Sequence, residues 1–253
     1  MKDFENAIKD YTSALGIDSN HFKAFYNRAF CWDKLGNLEE SEKDFDQAVR
    51  LQPNNISALH HLGTVREKLG GDYLALALES FNTVLSLDDK YSPSYNGRGL
   101  VWDRLFNFNE AIKDFSYAIE LDGKNPVYWH NRGCCFRNMG MLDKALSDFN
   151  EAIKLDSSNP NIYKSGVNTP TTPAAATDNS LPSLKQGCYS NRGLVNRKLE
   201  RFKEAIEDYT MELQFQGPGG NIKALNNRAY CYAKLAEYDH AIEDYSLVIE
   251  MDN

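Results

Sequence analysis

The sequence predicts an all-α fold: an array of stacked helical hairpins, with six full helix-turn-helix repeats and an N-terminal half repeat. Three observations predict it. An Asn-Arg-Gly tripeptide or a near copy returns along the chain, as Asn27-Arg28-Ala29, Gly97-Arg98-Gly99, Asn131-Arg132-Gly133, Asn191-Arg192-Gly193 and Asn227-Arg228-Ala229, with a divergent copy at His61-Leu62-Gly63. The third residues are spaced 34, 36, 34, 60 and 36 apart, and a period near 34 marks stacked units. Within each unit, small and large apolar residues recur at spacings of three and four, which is one face of an α-helix.

Taken in order, residues 2–16 carry only the second helix of a unit, with Ala7, Tyr11 and Ala14 on one face. We set the Gly or Ala of each tripeptide at register 8. Register 20 then reads Ala7, Ser41, Ala77, Ala111, Ala145, Ala205 and Ala241, and register 24 reads Tyr11, Phe45, Phe81, Phe115, Phe149, Tyr209 and Tyr245. Small residues at 8 and 20 let the two helices of a unit approach closely, and the aromatic at 24 fills the space beside them. Turn residues such as Gly36-Asn37 and Gly140-Met141 separate the two helices. Neither helix buries its face alone, so each unit stabilises the next. Arg66 and Asn196 at register 11 and Glu212 at register 27 break the apolar pattern, and less regular packing is expected where they fall.

The interval of 60 exceeds the basic period of 34 by 26 residues. Residues 157–186 contain Asn168-Thr169-Pro170-Thr171-Thr172-Pro173 and read as a flexible Pro/Thr/Asn-rich insert. The expected organisation is a first block of half a repeat plus four repeats at 1–156, the insert at 157–186, and two further repeats at 187–253. The array either continues in register beyond the insert or bends there. Short insertions near Gly70-Gly71 and Gly217-Pro218-Gly219-Gly220 account for the two intervals of 36.

Composition narrows the function classes. The net charge of −8 argues against nucleic acid as the main partner, which would need a basic stripe to neutralise phosphates. No apolar run reaches the ~20 residues of a membrane span. Cys31, Cys135 and Cys231 share one register and, with Cys134 and Cys188, make an odd set without Cys-x-x-Cys. Reduced thiols and a cytoplasmic location are expected. His60 and His61 are adjacent on a helix and cannot chelate together. No Walker loop, Gly-x-Ser-x-Gly or His-x-x-x-His occurs, so no catalytic residue, metal or cofactor is expected.

This pattern resembles the tetratricopeptide repeat, which carries small residues at 8, 20 and 27 and aromatics near 4, 11 and 24. Here register 4 holds Phe25, Leu59, Tyr95, Trp129, Tyr189 and Leu225, and the segment from Ala111 to Asp122 is close to the family's second helix. The resemblance covers everything except the insert. It implies a right-handed α-α superhelix whose first helices line a concave groove. The first unit has no first helix, and no polar capping helix covers Val248 and Ile249, so the chain is expected to be a fragment or to have its ends masked by a partner.

Most members of the family have a Leu-like residue at register 7. Here it is Arg28, Arg98, Arg132, Arg192 and Arg228, matched at register 23 by Asp44, Asp114, Asp148, Asp208 and Asp244. The divergent unit lacks both, having Leu62 and Ser80. Because the two residue types appear and disappear together, ion pairs across the helices of a unit are expected, with fully solvated surface charges as the alternative. In the family, register 6 faces the groove. Asn27, Asn131, Asn191 and Asn227 there form a ladder whose amides can hold both the N–H and C=O of an extended peptide, and the ladder is broken at His61 and Gly97. The substrate-binding superhelix of O-linked N-acetylglucosamine transferases is similar at this register. The alternative is a helix-face polar residue without a ligand. Tyr26, Asn226, Phe30 and Tyr230 lie beside the ladder. Register 13 is basic (Lys34, Lys68, Arg104, Lys198, Lys234), read as ordinary solvated surface, and register 12 is acidic in the first half at Asp33, Glu67 and Asp103.

The residues by which co-chaperone repeats clamp a C-terminal carboxylate, Lys at 5 and Asn at 9, are missing, which speaks against a chaperone-tail receptor. The expectation is a non-catalytic protein–protein interaction scaffold, binding an extended peptide or a partner helix in its groove. The alternatives are a recruiting arm of a larger enzyme or complex subunit, and a self-associating structural array.

Overall fold

In a computed structural model of the protein, residues 2–158, 184–215 and 221–252 are described. Among the described residues there are thirteen helices and no strand: α1 (Lys2–Ile17), α2 (Phe22–Lys34), α3 (Leu38–Leu51), α4 (Ile56–Leu69), α5 (Tyr73–Leu87), α6 (Ser92–Arg104), α7 (Phe108–Leu121), α8 (Pro126–Asn138), α9 (Leu142–Ser158), α10 (Leu184–Lys198), α11 (Phe202–Gln214), α12 (Ile222–Lys234) and α13 (Tyr238–Met251). The chain divides into two compact units, Met1–Asp122 and Gly123–Asn253. In unit 1, α1 packs on α2, the hairpins are α2/α3, α4/α5 and α6/α7, and each second helix also packs on the first helix that follows it. In unit 2 the hairpins are α8/α9, α10/α11 and α12/α13, with α9 against α10 and α11 against α12.

Local chemistry sets the helix ends. His21, Asn55, Asn125 and Asn221 precede first helices and accept backbone N–H groups of the opening turn. Pro126 opens α8, where its missing N–H would have had no partner. Register 15, between the two helices of a hairpin, has a positive φ in all six hairpins. Gly36, Gly70 and Gly140 adopt this conformation without strain, whereas Phe106, Glu200 and Ala236 hold it at φ of 58°, 58° and 61°. The insertion expected near Gly70-Gly71 falls in the turn between α4 and α5; the one at 217–220 lies outside the described residues.

The core follows the registers. Phe45, Phe81, Phe115, Phe149 and Tyr209 at register 24 are at most 1% exposed, beside Ala or Ser at register 20 that is fully buried. Their rings occupy the space a side chain at register 8 would need: a Cβ on Gly99 would sit 2.7 Å from Phe115. Gly97, at register 6, approaches Phe81 still more closely, at 2.5 Å. This is why the asparagine ladder is interrupted there, since the ring excludes any β-carbon.

Residues 159–183, most of the expected insert, lie outside the described residues. The expected boundaries of 157 and 186 need correction. Ser157 and Ser158 close α9, and Leu184, Lys185 and Gln186 open α10, where Leu184 and Gln186 are buried. The helices on either side of the insert keep the repeat contact. Arg192 of α10 donates to Asn150 of α9 at 2.6 Å, just as Arg98 of α6 donates to Asn82 of α5 at 2.7 Å where no insert intervenes. Lengthening a connection from about 4 to about 30 residues adds only ~2 kcal/mol of closure entropy. Re-forming one whole helix interface offsets that.

Candidate functional site

The five arginines at register 7 lie against the five aspartates at register 23. Arg28 Nε and Nη2 reach the two carboxylate oxygens of Asp44 at 2.6 and 2.7 Å, and Arg98, Arg132 and Arg228 grip Asp114, Asp148 and Asp244 in the same two-pronged way at 2.7–2.9 Å. Arg192 places both prongs on one oxygen of Asp208, because Asn196 Nδ2 donates to the other at 2.9 Å. Each guanidinium also lies 5.0–5.9 Å from an aromatic ring centroid, of Phe25, Tyr95, Trp129, Tyr189 and Tyr232 respectively. The remaining Nη1 of four of them donates to register 25 of the preceding second helix: Thr12, Asn82, Asn150 and Thr210. One side chain therefore ties three helices. Burial raises the carboxyls of Asp114, Asp148 and Asp208 against the pull of the guanidinium. Without its arginine, each would be a desolvated charge with little to offset it.

The divergent repeat solves the same problem differently. Arg66 was expected to disturb the packing. Instead it stands one turn beyond register 7, only 13% exposed, with Nη1 on Ser80 at 3.2 Å and Nη2 on Asp46 at 3.2 Å, while Nε binds Glu42 at 2.9 Å. It spans the same three helices, with the acid moved from register 23 of its own hairpin to register 25 of the preceding one. Asn196 is likewise partnered rather than disruptive; Glu212 accepts from Asn221 Nδ2 at 2.8 Å through Oε1, while its Oε2 is buried without a hydrogen bond among the described residues.

The exposed side of the first helices differs between the units. In unit 1, Tyr26 and His61 gather over Phe45 with Phe30 beside His61; His61 lies 5.7 Å from Tyr26, 6.3 Å from Phe30 and 5.6 Å from Phe45. Asn27 is half-buried, and its amide has no hydrogen bond among the described residues. Two of the basic residues at register 13 are not freely solvated, contrary to the expectation. Lys68 binds Asp33, and Arg104 binds Glu67, each at 2.6 Å, so register 12 of one hairpin pairs with register 13 of the next.

In unit 2, register 12 reads Arg137, Arg197 and Ala233, and its two arginines meet the asparagine ladder. Arg137 donates to Asn191 Oδ1, and Arg197 donates to Asn227 Oδ1 at 2.8 Å. Tyr230, 41% exposed, carries Arg197 and Lys234 each 5.4 Å from its ring centroid. Asn226 is half-buried, and Asn131 is buried at 8%. Arg137 and Arg197 were missed by sequence reasoning; the change of register 12 from acid to arginine was the signal that could have found them.

With this geometry in view, three segments match family models described as "Tetratricopeptide repeat": residues 22–55 and 126–159 in one and 222–253 in another. These three segments are tetratricopeptide repeats. Sperm-associated antigen 1 of Mus musculus is 35% identical over 68 residues, 27% of this chain and 8% of that protein, so the match spans under a tenth of its curated relative. The fold is shared with a tetratricopeptide repeat protein from Parabacteroides merdae (TM-score 0.66, 18% identity, 100% of this chain and 88% of that one). It is also shared with a chain in the structure of the APC/C hetero-tetramer Cut9-Hcn1 (TM-score 0.72, 14% identity, 98% of this chain and 43% of that one).

Two buried histidines stand at register 5 and reach register 3 of the next repeat: His60 Nδ1 lies 2.9 Å from Ser94 Oγ, and His130 Nδ1 lies 3.1 Å from Cys188 Sγ. Burial pushes His60 down to about 3 and His130 to about 4, so both rings are neutral links between repeats. Burial raises the Cys188 thiol well above its ordinary value, the opposite of an activated nucleophile. Among the described residues no group of three His, Cys, Asp or Glu is arranged to hold a metal ion, and no helix is long and apolar enough to cross a membrane.

Proposed function

We propose that this chain is a non-catalytic interaction scaffold whose first-helix faces hold an extended peptide or a partner helix. The observation that carries it is how the face is divided. The inward registers of the first helices are buried or tied into ion pairs, yet large side chains are left outward: Phe30 is 36% and Tyr230 41% exposed, beside the half-buried amides of Asn27 and Asn227. Aromatic surface next to amide donors and acceptors is what an extended backbone with alternating side chains needs. In unit 2 the Asn191 and Asn227 carbonyl oxygens already accept from arginine, so part of the ladder's role there is to hold those arginines.

A peptide-display selection against the folded chain, followed by Asn27→Ala with Phe30→Ala and separately Tyr230→Ala, tests this. Binders whose affinity falls at least about tenfold in one of the two variants support the reading. Binders indifferent to both variants, or no binders at all, would sink it.

A second reading is a partner-recruiting arm of a larger enzyme or complex subunit. The match to 8% of a much longer relative favours it. It uses the same faces, and the full coding sequence tests it directly.

A further inference from the structure

The three first helices of unit 2, α8, α10 and α12, contain no aspartate or glutamate, whereas each first helix of unit 1 from α2 onward carries one at register 12. Three of the unit 2 arginines, Arg132, Arg192 and Arg228, are neutralised by Asp148, Asp208 and Asp244. The other cations on these helices, among them Arg137, Arg197, Lys198, Lys223 and Lys234, form no ion pair among the described residues. The second helices carry the acids instead: Glu204, Glu207 and Asp208 on α11, and Asp239, Glu243, Asp244 and Glu250 on α13. Among the described residues, the first helices of unit 2 are thus basic within a chain of net charge −8.

We propose that the first-helix face of unit 2 is a binding site for a short acidic peptide, gripped by Arg137 and Arg197 with Lys198, Lys223 and Lys234 around them; this deepens the proposed function and rests on it. The cations are held ready. Arg197 is fixed by Asn227 and the Tyr230 ring and has used one of its five N–H donors; Arg137 is fixed by Asn191 and Asn138 and has used two. A guanidinium already oriented loses less freedom when a carboxylate docks two-pronged against it. Packed helices stand about 10 Å apart, and an extended chain rises about 3.3 Å per residue, so acidic side chains three residues apart match arginines on successive first helices. On α12, Lys223, Asn227, Tyr230 and Lys234 fall on one stripe at helical spacing, giving the peptide cation, amide and ring in turn. Unit 1 offers no such site, because Lys68 and Arg104 are already neutralised by Asp33 and Glu67. The acidic second helices repel a polyanion that extends beyond the face, which favours a short acidic peptide over nucleic acid.

The test uses the whole chain and a fluorescein-labelled twelve-residue peptide with Glu at every third position in a Ser/Gly background, read by anisotropy at low and moderate salt. The comparison probes are the same peptide with Gln for Glu and a twelve-nucleotide single-stranded RNA. At least a tenfold preference for the Glu peptide is expected. It should weaken with salt, be lost in Arg137→Gln with Arg197→Gln, and persist in Lys43→Gln with Lys113→Gln on the second helices of unit 1. If the arginine variant unfolds by circular dichroism, Lys198→Gln with Lys234→Gln, both on exposed side chains, must reduce the preference several-fold. Equal binding of the Glu and Gln peptides, a preference that survives both unit 2 variants, or tighter binding of the RNA overturns the proposal. Neutral binders from the display selection, lost on Tyr230→Ala, would leave the scaffold reading standing while this inference falls; no peptide binders at all would remove both.

Discussion

The two units are built from hairpins in the same register, yet they are wired differently on their first helices. Unit 1 links successive first helices by ion pairs, Lys68 to Asp33 and Arg104 to Glu67, and covers Phe45 with His61 and Tyr26. Unit 2 links them by arginine to asparagine, Arg137 to Asn191 and Arg197 to Asn227, with no acid present on those helices. The inward registers are alike because the close approach of two helices leaves little choice of volume there. The outward registers diverged because only charge balance constrains them, and that can be met within the chain or by a partner.

The largest expected effect lies in what the units share. Arg98→Ala should destabilise unit 1 by about 3 kcal/mol in urea unfolding, because it strands the buried Asp114 carboxylate. Arg98→Leu with Asp114→Ser, which copies Leu62 and Ser80 of the divergent repeat, should recover most of that. If the double variant is no better than the single, the pair is not the cause. Next comes Gly97→Asn, which writes the unit 2 ladder residue into unit 1. Its Cβ would lie 2.5 Å from Phe81, and overpacking of that kind costs about 2 kcal/mol. An unchanged melting temperature would show that the ring moves aside.

Acid should weaken both units. The His60 and His130 rings are neutral when folded but take up a proton below about pH 6.5 when unfolded. Stability is therefore complete above pH 6.5 and falls as pH drops, by about 1.4 kcal/mol per unit for each histidine, down to about 3 for His60 and about 4 for His130. At pH 5 that is about 2 kcal/mol each. His60→Gln should remove this slope, relative to the parent, from unit 1 alone; a parallel pH profile would count against burial as its cause.

Asp33→Asn with Glu67→Gln sharpens the comparison further. It frees Lys68 and Arg104 and should give unit 1 a several-fold gain in affinity for the acidic peptide, at a cost in stability of about 1 kcal/mol. The smallest effect concerns the turns. Phe106→Gly, at φ 58°, should stabilise the α6–α7 turn by about 0.5 kcal/mol, since the left-handed strain relieved slightly exceeds the unfolded-state entropy gained.

Much of the fold was legible in the residues. Ala111 and Phe115 were assigned inward from spacing alone, and both are buried. Glycine at register 8 announced a helix pressed against a ring. The candidate site was less legible. Arg66 looked like a flaw because its partners, Ser80, Asp46 and Glu42, come from two other helices that no spacing rule connects. Lys68 and Arg104 looked like solvated lysine and arginine for the same reason.

By itself the sequence determined the helical hairpins, their period and their apolar faces, because these depend on the 3.6-residue turn of a single helix and on the volume of a few side chains. Only the tertiary structure decided which charges are neutralised. A long side chain chooses among partners on neighbouring helices, and that choice depends on distances set by packing, which leaves Arg104 paired with Glu67 and Arg197 resting on Asn227 and Tyr230.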